Sequence, residues 1–345
     1  MYSNSLTEMG DLEIGEIMDI LALAAEFKAN IRSHRGVASG LLMASLFLEP
    51  STRTRGSFEA AMKRLGGDTI TTTDFKSSSM EKGETFDDSI RIWGNYCDLI
   101  VLRHEESGAP RAAANISSVP IINAGDGINE HPTQALCDLL TLKEEFGILE
   151  GLNIAICGDL KNGRTVHSLA YGLLLLGNSV TFVPGTGLDL TERTKKYLRE
   201  HFDSVISELP PSEVGYGDLY EGDNEAKAYM FHKPRLGLGE FDHKEKVTYT
   251  QLRPDALYFT RCQAERGSAA NEAGYPKVNL NNLETEFFSR AIVMHPLPRL
   301  DEVSVSLDDH PRSRYFEQAA NGVPIRMALI CLMLGLKPWS SVASR

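Results

Sequence analysis

Short runs of strand-forming residues, most of them apolar and several ending in a charged or polar residue, alternate along the chain with stretches of helical periodicity. The runs fall at residues 40–48, 68–73, 98–104, 119–125, 152–158, 179–183, 255–261 and 291–299. Apolar positions at helical spacing cover 13–31, a stretch from about Ser51 to Leu65, 86–96, the segment from His131 through Leu142, 166–176, 192–202 and 325–336. Such alternation predicts parallel sheets covered by helices, because parallel neighbours need a crossover between them. It also predicts where a ligand binds, since open α/β sheets gather ligands at the carboxyl ends of their strands.

The stretch from Phe47 to Glu59 is the most specialised of these strand ends. Pro50 stops the first run, and Phe58, Ala61, Met62 and Leu65 then recur at helical spacing until Gly66-Gly67. A helix therefore begins near Ser51 to Thr54, where backbone N–H groups lack partners and the dipole is positive. Ser51, Thr52 and Thr54 add hydroxyl donors, and Arg53 and Arg55 add planar forks suited to a phosphate. The plainer reading is an ordinary N-cap followed by two solvated arginines. Other strand ends and turns carry Arg103, His131, Arg164 and Arg261, which together imply a cleft between two halves holding two small anions. The turn from Gly158 to Gly163 lacks the glycine spacing of a dinucleotide site.

At 345 residues the chain exceeds a comfortable single core, so two domains are expected, with the change near residue 150. Its net charge of -12 argues against nucleic acid, whose phosphates need a basic face. Anionic substrates must then be gathered by local clusters of arginine and lysine. The five cysteines are widely spaced with no C-x-x-C pair, which fits reduced thiols and neither a disulfide framework nor a zinc site. No uninterrupted apolar run reaches the roughly 18 residues that cross a bilayer, so an untargeted, soluble, cytoplasmic protein is expected. No metal-ligand spacing is present, and no cofactor is expected.

The order of the motifs adds a family resemblance. Ser51-Thr52-Arg53-Thr54-Arg55 with Phe58-Glu59 resembles the carbamoyl phosphate signature of the aspartate and ornithine carbamoyltransferases. Residues 127–134, 158–168, 260–266 and 295–299 resemble the motifs of the aspartate branch in that family's order, with Pro296 where the ornithine enzymes carry a Cys. The resemblance covers most of the chain. It implies an α/β fold of two domains, each a mainly parallel sheet flanked by helices, joined by interdomain helices. The first would be a carbamoyl phosphate-binding domain, residues 1–150, completed by a C-terminal helix at about 318–345. The second would be an aspartate-binding domain, residues 151–317, expanded at about 208–246. The implied activity is transfer of the carbamoyl group of carbamoyl phosphate to the amine of L-aspartate, a step of de novo pyrimidine biosynthesis.

Carried over position by position, the resemblance puts carbamoyl phosphate on Ser51, Thr52, Arg53, Thr54, Arg103, His131, Gln134 and the backbone of Leu297. Aspartate falls to Lys82, Arg164, Arg261, Gln263 and Pro298, and Arg53, Thr54 and His131 would polarise the reacting carbonyl. Ser78 and Lys82 match residues lent by a neighbouring subunit, which implies a homotrimer with shared active sites. A regulatory chain or a dihydroorotase is a possible further partner. His104, His167 and His295 read as packing or supporting residues. Asn162 stands where the family often has an aromatic, which bears on domain closure.

Overall fold

The computed structural model describes residues 5–73, 83–202, 205–221, 228–232, 253–263 and 274–336. The chain divides into two compact units, Met1–Leu140 with Ala320–Arg345, and Thr141–Ala319. The first contains α1 (Ile14–Ala29), β1 (Leu42–Phe47), α2 (Arg53–Leu65), β2 (Asp68–Thr72), α3 (Phe86–Tyr96), β3 (Leu99–His104), α4 (Ala109–Ile116), β4 (Ile121–Asp126) and most of α5 (Pro132–Phe146). The second contains β5 (Asn153–Gly158), α6 (Arg164–Leu175), β6 (Ser179–Pro184), α7 (Glu192–Phe202), β7 (Val205–Leu209), β8 (Ala228–His232), β9 (Ala256–Phe259), α8 (Leu280–Leu283), β10 (Ile292–Met294) and most of α9 (Tyr315–Ala320). The chain then returns to the first unit as α10 (Gly322–Met333).

The first unit is built on a fully parallel sheet in the order β2-β1-β3-β4. Its strands β3 and β4 are buried throughout, beginning in apolar residues as strands of a parallel sheet should and ending in the buried polar residues Arg103, His104, Asn123 and Asp126. β2, at the edge, is largely exposed, which suits its threonines. One sheet face packs Ala44, Leu46, Ile100 and Leu102 against Ile90 of α3 and Ala113 of α4. α1 and α2 both pack against α10, which buries every residue from Ile325 to Cys331 and is apolar through that run except at Arg326.

The second sheet runs β10-β9-β5-β6-β8-β7. The first four strands are parallel, as the sequence pattern predicts, and β8 is antiparallel to both its neighbours. This edge is not apparent from sequence, because Pro210, Pro211, Gly215 and Gly217 read as punctuation of an irregular surface stretch. They instead build two 3-10 turns that deliver Val214, Tyr216, Leu219 and Tyr220 into the core of this unit. Burial pushes the phenols of Tyr216 and Tyr220 far up, so both stay neutral. Of the segment 208–246, residues 222–227 and 233–246 lie outside the described residues.

Gly66 closes α2 at φ +89°, and a Cβ there would meet the backbone nitrogen of Gly36 at 2.5 Å. Gly66→Ala combines a left-handed backbone with a clash against main chain, so it is expected to lower unfolding free energy by more than about 2 kcal/mol, read from urea midpoints.

Candidate active site

Within the first unit, β1 leads into α2 through Pro50, Ser51 and the N-cap Thr52. Thr52 makes no side-chain cap bond, and no acidic residue lies in the first turn. The helix start is thus electropositive and uncapped by its own hydroxyl, which suits an anion. Thr52 and Arg53 are exposed, Ser51 is half-buried, and Thr54 is buried. Arg55 turns along the helix toward Glu59, at 3.7 Å.

Arg103 is register partner to Phe47, which sets it opposite the end of β1. The β3–β4 register shifts between Leu102 and His104, where Gly125 adopts φ +112°. The shift leaves the Ala124 carbonyl to accept from Nη1 of Arg103 at 3.3 Å, while Nη2 donates to Glu49 at 3.1 Å. Glu49 belongs to the signature stretch but stands out there only as its one acid before the helix. Its pairing with Arg103, fifty-four residues away, is visible only in the fold.

His131 precedes α5 and is buried. Its Nε2 lies 3.5 Å from Oγ1 of Thr54, and its Nδ1 lies 3.5 Å from Oγ1 of Thr133. Gln134, in the first turn, donates Nε2 to Asp138 at 2.7 Å. The loop before His131 is held by the buried carboxylate of Asp126. That carboxylate accepts from the side-chain amides of Asn123 and Asn129 and from the backbone N–H groups of Gly108 and Glu130, at 2.6 to 3.1 Å. His104, next to Arg103, accepts from the Glu106 N–H at Nδ1, and burial holds its pKa below the ordinary range. It supports the strand end as a neutral ring.

The second unit repeats the device. Asp159, fully buried after β5, accepts from the N–H of Asn162 at 3.0 Å and from the N–H of Gln263 at 3.0 Å. Its own N–H donates to Oγ1 of Thr260. This carboxylate joins the turn that carries Arg164, buried at the first position of α6, to the segment holding Arg261 and Gln263. Nη1 of Arg261 donates to the Cys262 carbonyl, and Nε2 of Gln263 donates to the Arg261 carbonyl. Asn162 is buried in that turn.

After β10, His295 and Glu302 form a buried pair at 2.7 Å. The Leu297 N–H donates to Nδ1 of His295, so that nitrogen carries no proton and Nε2–H faces the carboxylate. Leu297 sits at φ +58°, and its bond to Pro298 is cis. With its N–H engaged, the group Leu297 can offer a ligand is its carbonyl. Pro298 is exposed. Ser78 and Lys82 lie outside the described residues. Sequence reasoning missed Asp126, Asp159 and Glu302 as supports: many of their donors are backbone groups, which leave no side-chain signature, and the nearby Asn123, Asn129 and His295 do not by themselves mark a carboxylate as their acceptor. No helix among the described residues is long and apolar enough to cross a membrane.

Residues 4–144 match the model of the aspartate/ornithine carbamoyltransferase carbamoyl-P binding domain, and residues 245–333 match that of the Asp/Orn binding domain. The aspartate carbamoyltransferase catalytic subunit of Methanocaldococcus jannaschii is 42% identical over 331 residues, covering 94% of this chain and 96% of that protein. A solved structure of the M. jannaschii aspartate transcarbamoylase catalytic subunit superposes with a TM-score of 0.74 at 38% identity, covering 96% of this chain and 98% of that one. Aspartate transcarbamoylase of Trypanosoma cruzi, solved in complex with aspartate and phosphate, gives 0.73 at 33% identity, with 94% of each chain covered.

Asp126→Asn keeps the size of the side chain but turns one acceptor into a donor facing donors. It is expected to cost about 2–4 kcal/mol in urea unfolding, and an unchanged midpoint would show that the loop does not depend on this carboxylate.

Proposed function

The chain belongs to the aspartate/ornithine carbamoyltransferase family, and from that premise we infer that it transfers the carbamoyl group of carbamoyl phosphate to L-aspartate. The products are N-carbamoyl-L-aspartate and phosphate, and the reaction is a step of de novo pyrimidine biosynthesis. The observation that carries the reading is the meeting of Thr54, at the electropositive start of α2, with the buried His131, 3.5 Å away.

Phosphate binds at the start of α2 through Ser51, Thr52, Arg53 and Thr54, with Arg103 at the neighbouring strand end. The carbamoyl carbonyl accepts from Arg53, Thr54 and His131. For His131 to donate through Nε2, its Nδ1 must accept, and the Thr133 hydroxyl 3.5 Å away is suited to supply that proton. Gln134 and the Leu297 carbonyl take the carbamoyl amide, whose N–H groups need acceptors. Arg164, Arg261 and Gln263 bind the two carboxylates of aspartate, with Pro298 shaping the same pocket.

In the reaction the neutral amine of aspartate attacks the carbamoyl carbon, and a new C–N bond forms as the carbonyl oxygen becomes an oxyanion. The bond from carbon to the phosphate oxygen then breaks, and the departing phosphate accepts the amine proton. Each donor aimed at the oxyanion contributes roughly 3 to 4 kcal/mol in sites of this kind. Ordering two anions beside one another supplies much of the remaining acceleration. We place the enzyme in the cytoplasm as a homotrimer in which Ser78 and Lys82 serve a neighbouring subunit's site, Lys82 toward aspartate.

Arg53→Ala is expected to leave the circular dichroism spectrum unchanged and to lower kcat by about three orders of magnitude or more, and near-normal turnover would refute its role. Arg261→Ala is expected to raise KM for aspartate while leaving inhibition by inorganic phosphate unchanged. Equal losses for both ligands would remove Arg261 from the aspartate pocket.

A further inference from the structure

Asp138 lies one turn beyond Gln134 on α5 and is fully buried. Its Oδ1 stands 2.7 Å from Nε2 of Gln134. Which end of a glutamine amide points where is decided by its partners, and here the partner decides it. A carboxylate only accepts, so the NH₂ end of Gln134 must face Asp138 and Oε1 must face away from it. Burying such a carboxylate calls for a compensating charge in the same interior. The guanidinium of Arg326, from α10, is buried in the same unit, lies 5.0 Å from the Phe58 ring centre, and approaches Sγ of Cys137, the neighbour of Asp138 in the chain, at 3.6 Å. Arg326 and Asp138 act on that thiol in opposite directions.

We propose that Asp138 is a positioning residue that sets substrate specificity, by turning Gln134 so that Oε1 accepts a hydrogen bond from the carbamoyl NH₂ group. The inference rests on the reading that His131 and Gln134 hold the carbamoyl group. Thr54 and His131 present donors, and Gln134, so turned, presents an acceptor. That combination fits an acyl phosphate with a carbonyl on one side and N–H on the other. An acetyl group, with a methyl in place of the amide, leaves the acceptor unpaired.

The test is Asp138→Asn in the full-length chain. Asparagine keeps the shape but can donate to Gln134, which frees the amide to turn. The expected result is a loss of roughly 10- to 100-fold in kcat/KM for carbamoyl phosphate, while inhibition constants for acetyl phosphate and inorganic phosphate change less than about threefold. Asp138→Glu, still an acceptor only, is expected to keep the wild-type ratio of carbamoyl to acetyl phosphate. The double variant D138N with Gln134→Ala is expected to be no worse than Gln134→Ala alone. A second measurement needs no variant: the Gln134 side-chain amide protons, followed by ¹⁵N-edited exchange in the unliganded protein, should exchange slowly.

Equal losses for all three ligands, an additive double variant, or fast exchange of that amide would overturn the proposal. A wild-type chain that does not use carbamoyl phosphate would overturn the functional reading and this inference together. An active wild type with an unaltered D138N would overturn the inference alone.

Discussion

The backbone N–H groups at the start of a helix have no carbonyl to bond, and the first unit is arranged to present such a start, with no acid in its first turn, at the carboxyl edge of a parallel sheet. Because every strand of that sheet runs the same way, the end of β1, the guanidinium on β3 and the loop after β4 all emerge at one edge. The concentration of donors there is a property of topology before it is a property of any residue. Ser51, Thr52, Arg53 and Thr54 add side-chain donors to the same set.

Donors crowded at a strand edge need something to hold the surrounding loops, and the protein uses buried carboxylates for it. Asp126 gathers four donors after β4, Asp159 gathers two backbone amides after β5, and Glu302 takes the Leu300 N–H and faces the ring of His295 after β10. A carboxylate has two oxygens that accept several hydrogen bonds at once, so one side chain can tie together segments that are far apart in the chain. The same logic fixes the histidines. His104 and His295 each accept a backbone N–H at Nδ1, so both serve as neutral supports, while His131 faces hydroxyls on both nitrogens and keeps a role open to ligand chemistry.

Much of this was legible in the sequence. Pro50 and Gly66-Gly67 bracket α2 within three residues at either end, and the apolar runs at 40–48, 98–104 and 152–158 contain β1, β3 and β5. The strands β7 and β8 were not, since their connections are rich in proline and glycine and only the tertiary core reveals that Tyr216 and Tyr220 are interior residues. α4, eight residues rich in alanine, has too short a period to stand out. In the site, residues with charged forks or rings announced themselves, whereas their supports did not. The bond from Gln263 to Asp159 spans 104 positions, and no local pattern encodes such a pairing. Asp138 falls within a helix whose apolar stripe draws attention away from it.

The central claim is that this chain joins a carbamoyl group to the amine of a dicarboxylate. It is tested most directly by supplying carbamoyl phosphate labelled with ¹³C at the carbonyl, together with equal concentrations of L-aspartate and L-ornithine, and identifying the labelled product by NMR. The account predicts N-carbamoyl-L-aspartate, with the ornithine left unreacted. Labelled citrulline as the main product, or label appearing only in hydrolysed carbamoyl phosphate, would contradict it.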